Sequence, residues 1–110
     1  MSESVQTELE EGVVTITLNR PSALNAISTD LATSLVRALS DANGAPEVRG
    51  VVLTGAGDKA FCAGVDLLEA REMTVERIET WFGAVCEIYR RILLVDKPVV
   101  AALNGIAAGG

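Results

Sequence analysis

An alternation of two periods constrains this chain more than any other feature of its sequence. Short β-branched or apolar runs occur at Val13 to Leu18 (VVTITL), Val51 to Gly55 (VVLTG) and Val99 to Leu103 (VVAAL). Longer stretches separate them, and there the apolar residues recur every three or four positions. The first run alternates and reads as a strand, with Ser4 to Leu9 as hairpin partner across a Glu10-Glu11-Gly12 turn. The other two are apolar on both faces, as expected of parallel strands covered from both sides. From Thr29 to Asn43, the residues Leu31, Leu35, Ala38, Leu39 and Ala42 share one helical face. Ser28 or Thr29 can cap that helix, and Gly44 with Pro46 stops it. Beyond Thr74, the series Val75, Ile78, Phe82, Val85, Ile88, Ile92 marks a second helix, ended by Asp96-Lys97-Pro98. Hairpin, helix, strand, helix, strand is an α/β order. The 110 residues show no linker and no repeat of fixed period, so one domain without an internal boundary is expected.

Charge and composition narrow the function. The formal net charge is -6, which disfavours a nucleic-acid partner, since a phosphate backbone rewards clustered Lys and Arg. Arg90-Arg91 falls on the second helix and reads as its solvated face. The opening MSESVQTELEEG is acidic and does not read as a signal peptide. No apolar run approaches the about 20 residues of a membrane span. A cytoplasmic protein without a membrane partner is the expectation. Histidine is absent, which removes Ser-His-Asp, Cys-His and His-ligated zinc chemistry, and no metal site is expected. Cys62 and Cys86 each have apolar neighbours and read as reduced core thiols.

Two glycine-bearing loops could carry chemistry. Gly55 to Ala60 (GAGDKA) fits a permissive dinucleotide fingerprint, which would make the chain an NAD-dependent oxidoreductase. That reading needs a helix directly after Gly57, whereas the strong helical period begins only near Thr74, and a tight turn is the better reading. The other candidate is a pair of loops, AFCAGVDL and NGIAAGG, each following a short strand. Small residues there leave peptide N–H groups unshielded. Two such groups aimed at one point would form an oxyanion hole for a carbonyl gaining charge.

Three segments in register, LNRPSALNAI (Leu18 to Ile27), VVLTGAGDKAFCAGVDL (Val51 to Leu67) and KPVVAALNGIAAGG (Lys97 to Gly110), resemble the enoyl-CoA hydratase/isomerase family, the crotonase superfamily. The resemblance implies an α/β spiral of ββα units of the ClpP/crotonase kind, with residues 1–110 as the N-terminal part of one such domain, incomplete in itself. It implies an acyl-CoA thioester as ligand, with coenzyme A part of the substrate and no separate cofactor. The backbone N–H groups of Val65 and Gly110 match the family's oxyanion donors. Ser22, Ala23, Leu24, Ala63, Gly64, Val65, Asp66, Leu67, Ile106, Gly109 and Gly110 match its ligand contacts. A homotrimer or dimer of trimers is implied for the intact protein. The family's acid–base glutamates would fall beyond Gly110, so these residues alone are not expected to hydrate an enoyl-CoA. The faces of Val99 to Leu103 and of the Val75 to Ile92 helix should then be under-covered. The alternative to an acyl-CoA lyase or isomerase is a non-catalytic acyl-CoA-binding or assembly module. Glu69 and Glu72, in LLEAREMTVER, read as solvated surface, and Asp66 as a cap or loop-bonding residue.

Overall fold

The computed structural model describes residues 3–110. Strands β1 (Val5–Glu10) and β2 (Val13–Leu18) pair antiparallel, from Val5 opposite Leu18 to Glu10 opposite Val13. The turn between them is Glu11-Gly12, at φ 51° and 82°. Positive φ at both central residues suits the twist of a two-residue hairpin. A single 3₁₀ turn at Pro21–Ala23 leads to helix α1 (Thr29–Gly44), whose cap is Ser28, its Oγ accepting from the Leu31 amide at 3.1 Å. Next come β3 (Gly50–Gly55), β4 (Ala60–Cys62) and the one-turn helix α2 (Leu67–Arg71). Helix α3 (Val75–Leu94) starts at the Thr74 cap, and β5 (Val99–Ala102) and β6 (Ile106–Ala107) follow.

The strands form two sheets. One has the order β1-β2-β3-β5, with β2, β3 and β5 mutually parallel; the other is the parallel pair β4-β6. Alternation places Val14, Ile16 and Leu18 of β2 and Val51 and Leu53 of β3 on one face. There they meet Leu31, Leu35 and Leu39 of α1 and Trp81, Val85 and Ile88 of α3, all buried. Lys97 ties this layer to the start of β5, its Nζ donating to the carbonyls of Ala42 and Ala45 at 2.7 Å each. These are carbonyls that the end of α1 leaves without helical partners. No helix among the described residues is long and apolar enough to cross a membrane.

Several expectations are corrected. The Val51 to Gly55 run, read as a strand covered on both faces, is covered on one: Val52 and Thr54 are only half-buried, because α1 and α3 lie on the same side. The under-covering expected of the Val99 to Leu103 run and of α3 is present, with Val100 58% exposed, Leu103 62%, and Val75, Ile78 and Phe82 exposed as well. Cys62 is buried as expected, but Cys86 faces outward on α3. The loop read as running from Gly55 to Gly64 contains β4, and the stretch before Thr74 contains α2.

Two asparagines, Asn25 buried and Asn104 half-buried, hold the glycine loop after β3. Asn25, with no exposed surface, donates through Nδ2 to the carbonyls of Ala56 (3.1 Å) and Ala60 (2.9 Å). Its Oδ1 accepts from the Arg20 amide at 2.8 Å. Asn104 approaches from the other side, donating to Gly57 (2.9 Å) and to the same Ala60 carbonyl (3.0 Å) while accepting from the Gly55 amide (3.0 Å). Gly55 is packed between them. A Cβ there would lie 2.7 Å from the Phe61 carbonyl oxygen, 2.8 Å from Asn25 Nδ2 and 2.9 Å from Asn104 Oδ1. Gly83 is the opposite case, inside α3 with nothing within 4 Å of a Cβ. Gly55→Ala should therefore destabilise the chain by about 2–3 kcal/mol through overpacking. Gly83→Ala should stabilise it by about 0.5–1 kcal/mol by removing backbone freedom from a helix interior. Urea-unfolding midpoints of the two variants check both signs.

Candidate functional site

The two sheets create a repeated motif. β3 passes through the Gly55–Lys59 turn into β4, and β5 passes through Asn104-Gly105 into β6, so that each pair adds one rung to each sheet. Cys62 on β4 pairs with Ala107 on β6. Beyond that pair the two loops stay close: a Cβ on Gly64 would lie 3.4 Å from Gly109 Cα, and one on Gly110 3.8 Å from Val65 Cγ1. Gly64 and Gly109 have positive φ, 102° and 62°, and a Cβ on Gly64 would meet the Ala108 oxygen at 3.1 Å and the Gly110 nitrogen at 3.5 Å. The two loop ends are thus in close backbone contact, which a side chain at either position would crowd and strain.

The Val65 amide is turned outward by its neighbours. Ile27 forms a parallel bridge to Val65, its N–H donating to the Gly64 carbonyl at 2.8 Å and its carbonyl accepting from the Asp66 amide at 2.9 Å. In such a bridge the flanking residues carry the bonds, and the central residue's N–H points away. No acceptor among the described residues takes the Val65 amide or the Gly110 amide. Beside Gly110 opens a cavity of about 330 Å³, walled by Leu35, Leu53, Phe61, Ile88, Tyr89 and Ile92 among others. The Tyr89 hydroxyl donates to the Gly110 carbonyl at 2.8 Å. Burial pushes the Tyr89 hydroxyl up, aided by the nearby Cys62 and Cys86 thiols, and burial also raises Cys62. Both groups stay protonated at neutral pH.

Polar groups brace the loops from behind. Arg20 donates through Nη1 to the Ala26 carbonyl (2.6 Å) and through Nη2 to Asp66 Oδ2 (3.1 Å). Asp66 Oδ1 accepts from the amides of Leu68 and Glu69, capping α2 as the sequence suggested. Glu69 departs from expectation. Its carboxylate reaches across to the Thr29 amide, at 2.9 Å and 3.2 Å, and to the Thr29 hydroxyl, satisfying an orphan donor at the start of α1. Glu72 is exposed, as expected.

The remaining sequence candidates fall into three places. Ala63, Gly64, Val65 and Asp66 run together past Gly109 and Gly110, and the Ala63 amide donates to the Leu24 carbonyl at 3.0 Å. Ser22 and Ala23 line a separate depression of about 500 Å³ shared with Ser4, Asn19 and Arg20. Leu67 and Ile106, 73% and 63% exposed, line neither hollow. The dinucleotide reading of Gly55 to Ala60 is overturned, because Gly57 is followed by β4 and the next helix begins at Leu67. Among the described residues no group of three His, Cys, Asp or Glu side chains could hold a metal. The sequence reading missed the cavity wall from α3 and the bracing roles of Arg20, Asn25 and Asn104. Asn104 had a signal, as the one polar residue inside an apolar run.

The enoyl-CoA hydratase/isomerase family profile matches residues 8–110. The chain belongs to that family. It is 43% identical over 105 residues to the short-chain-enoyl-CoA hydratase of Clostridium acetobutylicum, covering 94% of this chain and 40% of that protein. It is 36% identical to the crotonyl-CoA hydratase of Syntrophomonas wolfei, with 98% and 42% covered. The crystal structure of an enoyl-CoA hydratase from Bacillus anthracis superimposes with a TM-score of 0.90 at 36% identity, over 94% of this chain and 41% of that one. The crotonase fold is thereby established. The chain spans about two fifths of the length of the relatives it matches.

One brace of this family member has a pH signature. Burial opposes ionisation of Asp66, but the Glu69 amide, the Arg20 guanidinium and the Leu68 amide outweigh it and hold the carboxyl below the usual aspartate range. A depressed folded-state pKa contributes stability that is complete above the unfolded value, about 3.9, and fades as pH falls through the lower folded value. Asp66→Asn should flatten the stability profile over that acidic interval while leaving its shape near neutrality unchanged. Urea midpoints measured against pH decide this, and parallel profiles for variant and wild type would show that the pair contributes nothing.

Proposed function

We propose that this chain binds an acyl-CoA thioester and stabilises the enolate formed on it, as part of an acyl-CoA lyase or isomerase. One observation carries the reading. Val65 and Gly110 lie on adjacent loop ends, both amides without an acceptor among the described residues, and Gly110 lines an apolar cavity. A thioester oxygen placed between them would accept two hydrogen bonds as it gains charge, and removing one such donor typically costs about 10²–10³ in rate. The cavity at Leu53, Phe61 and Ile92 would take the acyl arm, and the Ser22-Ala23-Leu24 segment would lie along coenzyme A. Among the described residues no carboxylate lines the cavity, and the phenol and thiol that do are neutral. Proton transfer would fall to the family's glutamates, which the resemblance puts outside residues 1–110. Those groups, and not the oxyanion site, would decide between hydration and isomerisation. An oligomer of trimeric kind belongs to the same reading. The exposed apolar residues Val100 on β5, Leu103 just after it and Ile106 on β6 are the surfaces it would cover.

Titrating ¹⁵N-labelled protein with acetoacetyl-CoA tests this. The amides of Val65 and Gly110 should move furthest downfield, and free coenzyme A should leave them in place. Gly64→Ala, which forces a side chain onto φ 102° and against Ala108, should weaken thioester binding at least tenfold. Shifts confined to other amides, or unchanged binding by Gly64→Ala, would overturn the assignment.

A further inference from the structure

The structure assigns a positioning role to the Arg20–Asp66 pair: it sets the direction of the Val65 amide, and so tunes how strongly a bound thioester carbonyl is polarised. This rests on the reading of Val65 given above.

The pair joins chain segments that share no element. Asp66 follows Val65 directly and is fixed on three sides. Its amide donates to Ile27, Oδ2 accepts from Arg20, and Oδ1 accepts from the first amides of α2. Arg20 is fixed as firmly. Its guanidinium also holds the Ala26 carbonyl, its own amide donates to Asn25 Oδ1, and its carbonyl accepts from the Asn25 amide at 2.9 Å. The Asp66 side chain is 14% exposed and that of Arg20 26%. An ion pair this shielded, with one guanidinium nitrogen on each partner, keeps its geometry better than an exposed surface pair. The peptide between Gly64 and Val65 hangs between two anchors, Ile27 ahead of it and the Arg20–Asp66 pair behind. Rotation of that peptide is the motion that would swing the Val65 N–H off a ligand oxygen; the Ile27 amide opposes it through the Gly64 carbonyl, and the Arg20–Asp66 pair opposes it from the next residue. Capping of α2 alone does not require Arg20, because the cap uses Oδ1 and the ion pair uses Oδ2.

That division of labour makes the role separable from folding. Asp66→Asn keeps an acceptor for the α2 amides but presents an amide group, a donor, to Arg20. Arg20→Lys keeps the charge and loses the fork that spans Ala26 and Asp66. The probe is acetoacetyl-CoA labelled with ¹³C at the thioester carbonyl, read by isotope-edited infrared difference spectroscopy. Free coenzyme A affinity and circular dichroism are measured in parallel. Wild type should red-shift the bound carbonyl. Asp66→Asn and Arg20→Lys should each lose at least half of that shift while keeping a wild-type circular dichroism spectrum, and the double variant should lose no more than either single one. Arg90→Met, on an exposed side chain of α3, should keep the full shift. If Asp66→Asn fails to fold, Arg20→Lys decides alone. A full red-shift in a folded variant overturns the positioning role and leaves the Val65 assignment standing. Absence of any shift in wild type overturns that assignment and the positioning role with it.

Discussion

A single carbonyl oxygen, that of Ala60, accepts from the side-chain amides of both Asn25 and Asn104. The three segments that meet there are the turn before α1, the loop after β3 and the turn after β5, and no hydrogen-bond ladder of the larger sheet joins them. A carboxamide suits this place because it donates and accepts at once, so each asparagine satisfies a neighbouring N–H as well as two carbonyls. A partly buried network of this kind stabilises only when every member is paired, and here both side chains use their donor and acceptor atoms. Gly55 follows as a necessity. The two amides can reach the loop only where the backbone carries no Cβ.

The same contact supports a strained turn. Leu24 and Asn25 both adopt φ 55°, a left-handed conformation that costs an L-residue about 1–2 kcal/mol. The Asn25 side-chain bonds and the Asn25 amide bond to the Arg20 carbonyl offset that cost locally. The bend sends the chain from the 3₁₀ turn back along residues 63–66, where the Leu24 carbonyl takes the Ala63 amide and Ile27 bridges Val65. Strain in the first motif thus positions the backbone of the second.

Elements long enough to show a period were legible in the sequence. The helix read from Thr29 to Asn43 is α1, the one read after Thr74 is α3, and the β-branched runs are β2, β3 and β5. β4 and β6 were not legible, because strands of three and two residues carry no period and their pairing depends on partners distant in the chain. Burial was misjudged wherever it depended on which side the helices pack. An apolar run reads the same whether one face of its sheet is covered or two, so both faces of β3 looked internal, as did Cys86 on α3. Glu69 sits in a charged stretch that resembles solvated surface, and only the fold brings it to Thr29. The glycine loops were found as candidate ligand sites from composition. Their bracing by Arg20 was not, because nothing in a sequence links residue 20 to residue 66.

The doubled strand–turn–strand unit also acts as a gauge. Adjacent strands lie about 4.8 Å apart, a spacing set by backbone hydrogen bonds and indifferent to side chains. The β4–β6 ladder ends at Cys62 and Ala107, just before the loops that hold Val65 and Gly110, so the strands delivering both loops are spaced by the ladder and not by packing around a ligand. Side chains lining the cavity can then be exchanged for larger or smaller ones without moving those two strands apart.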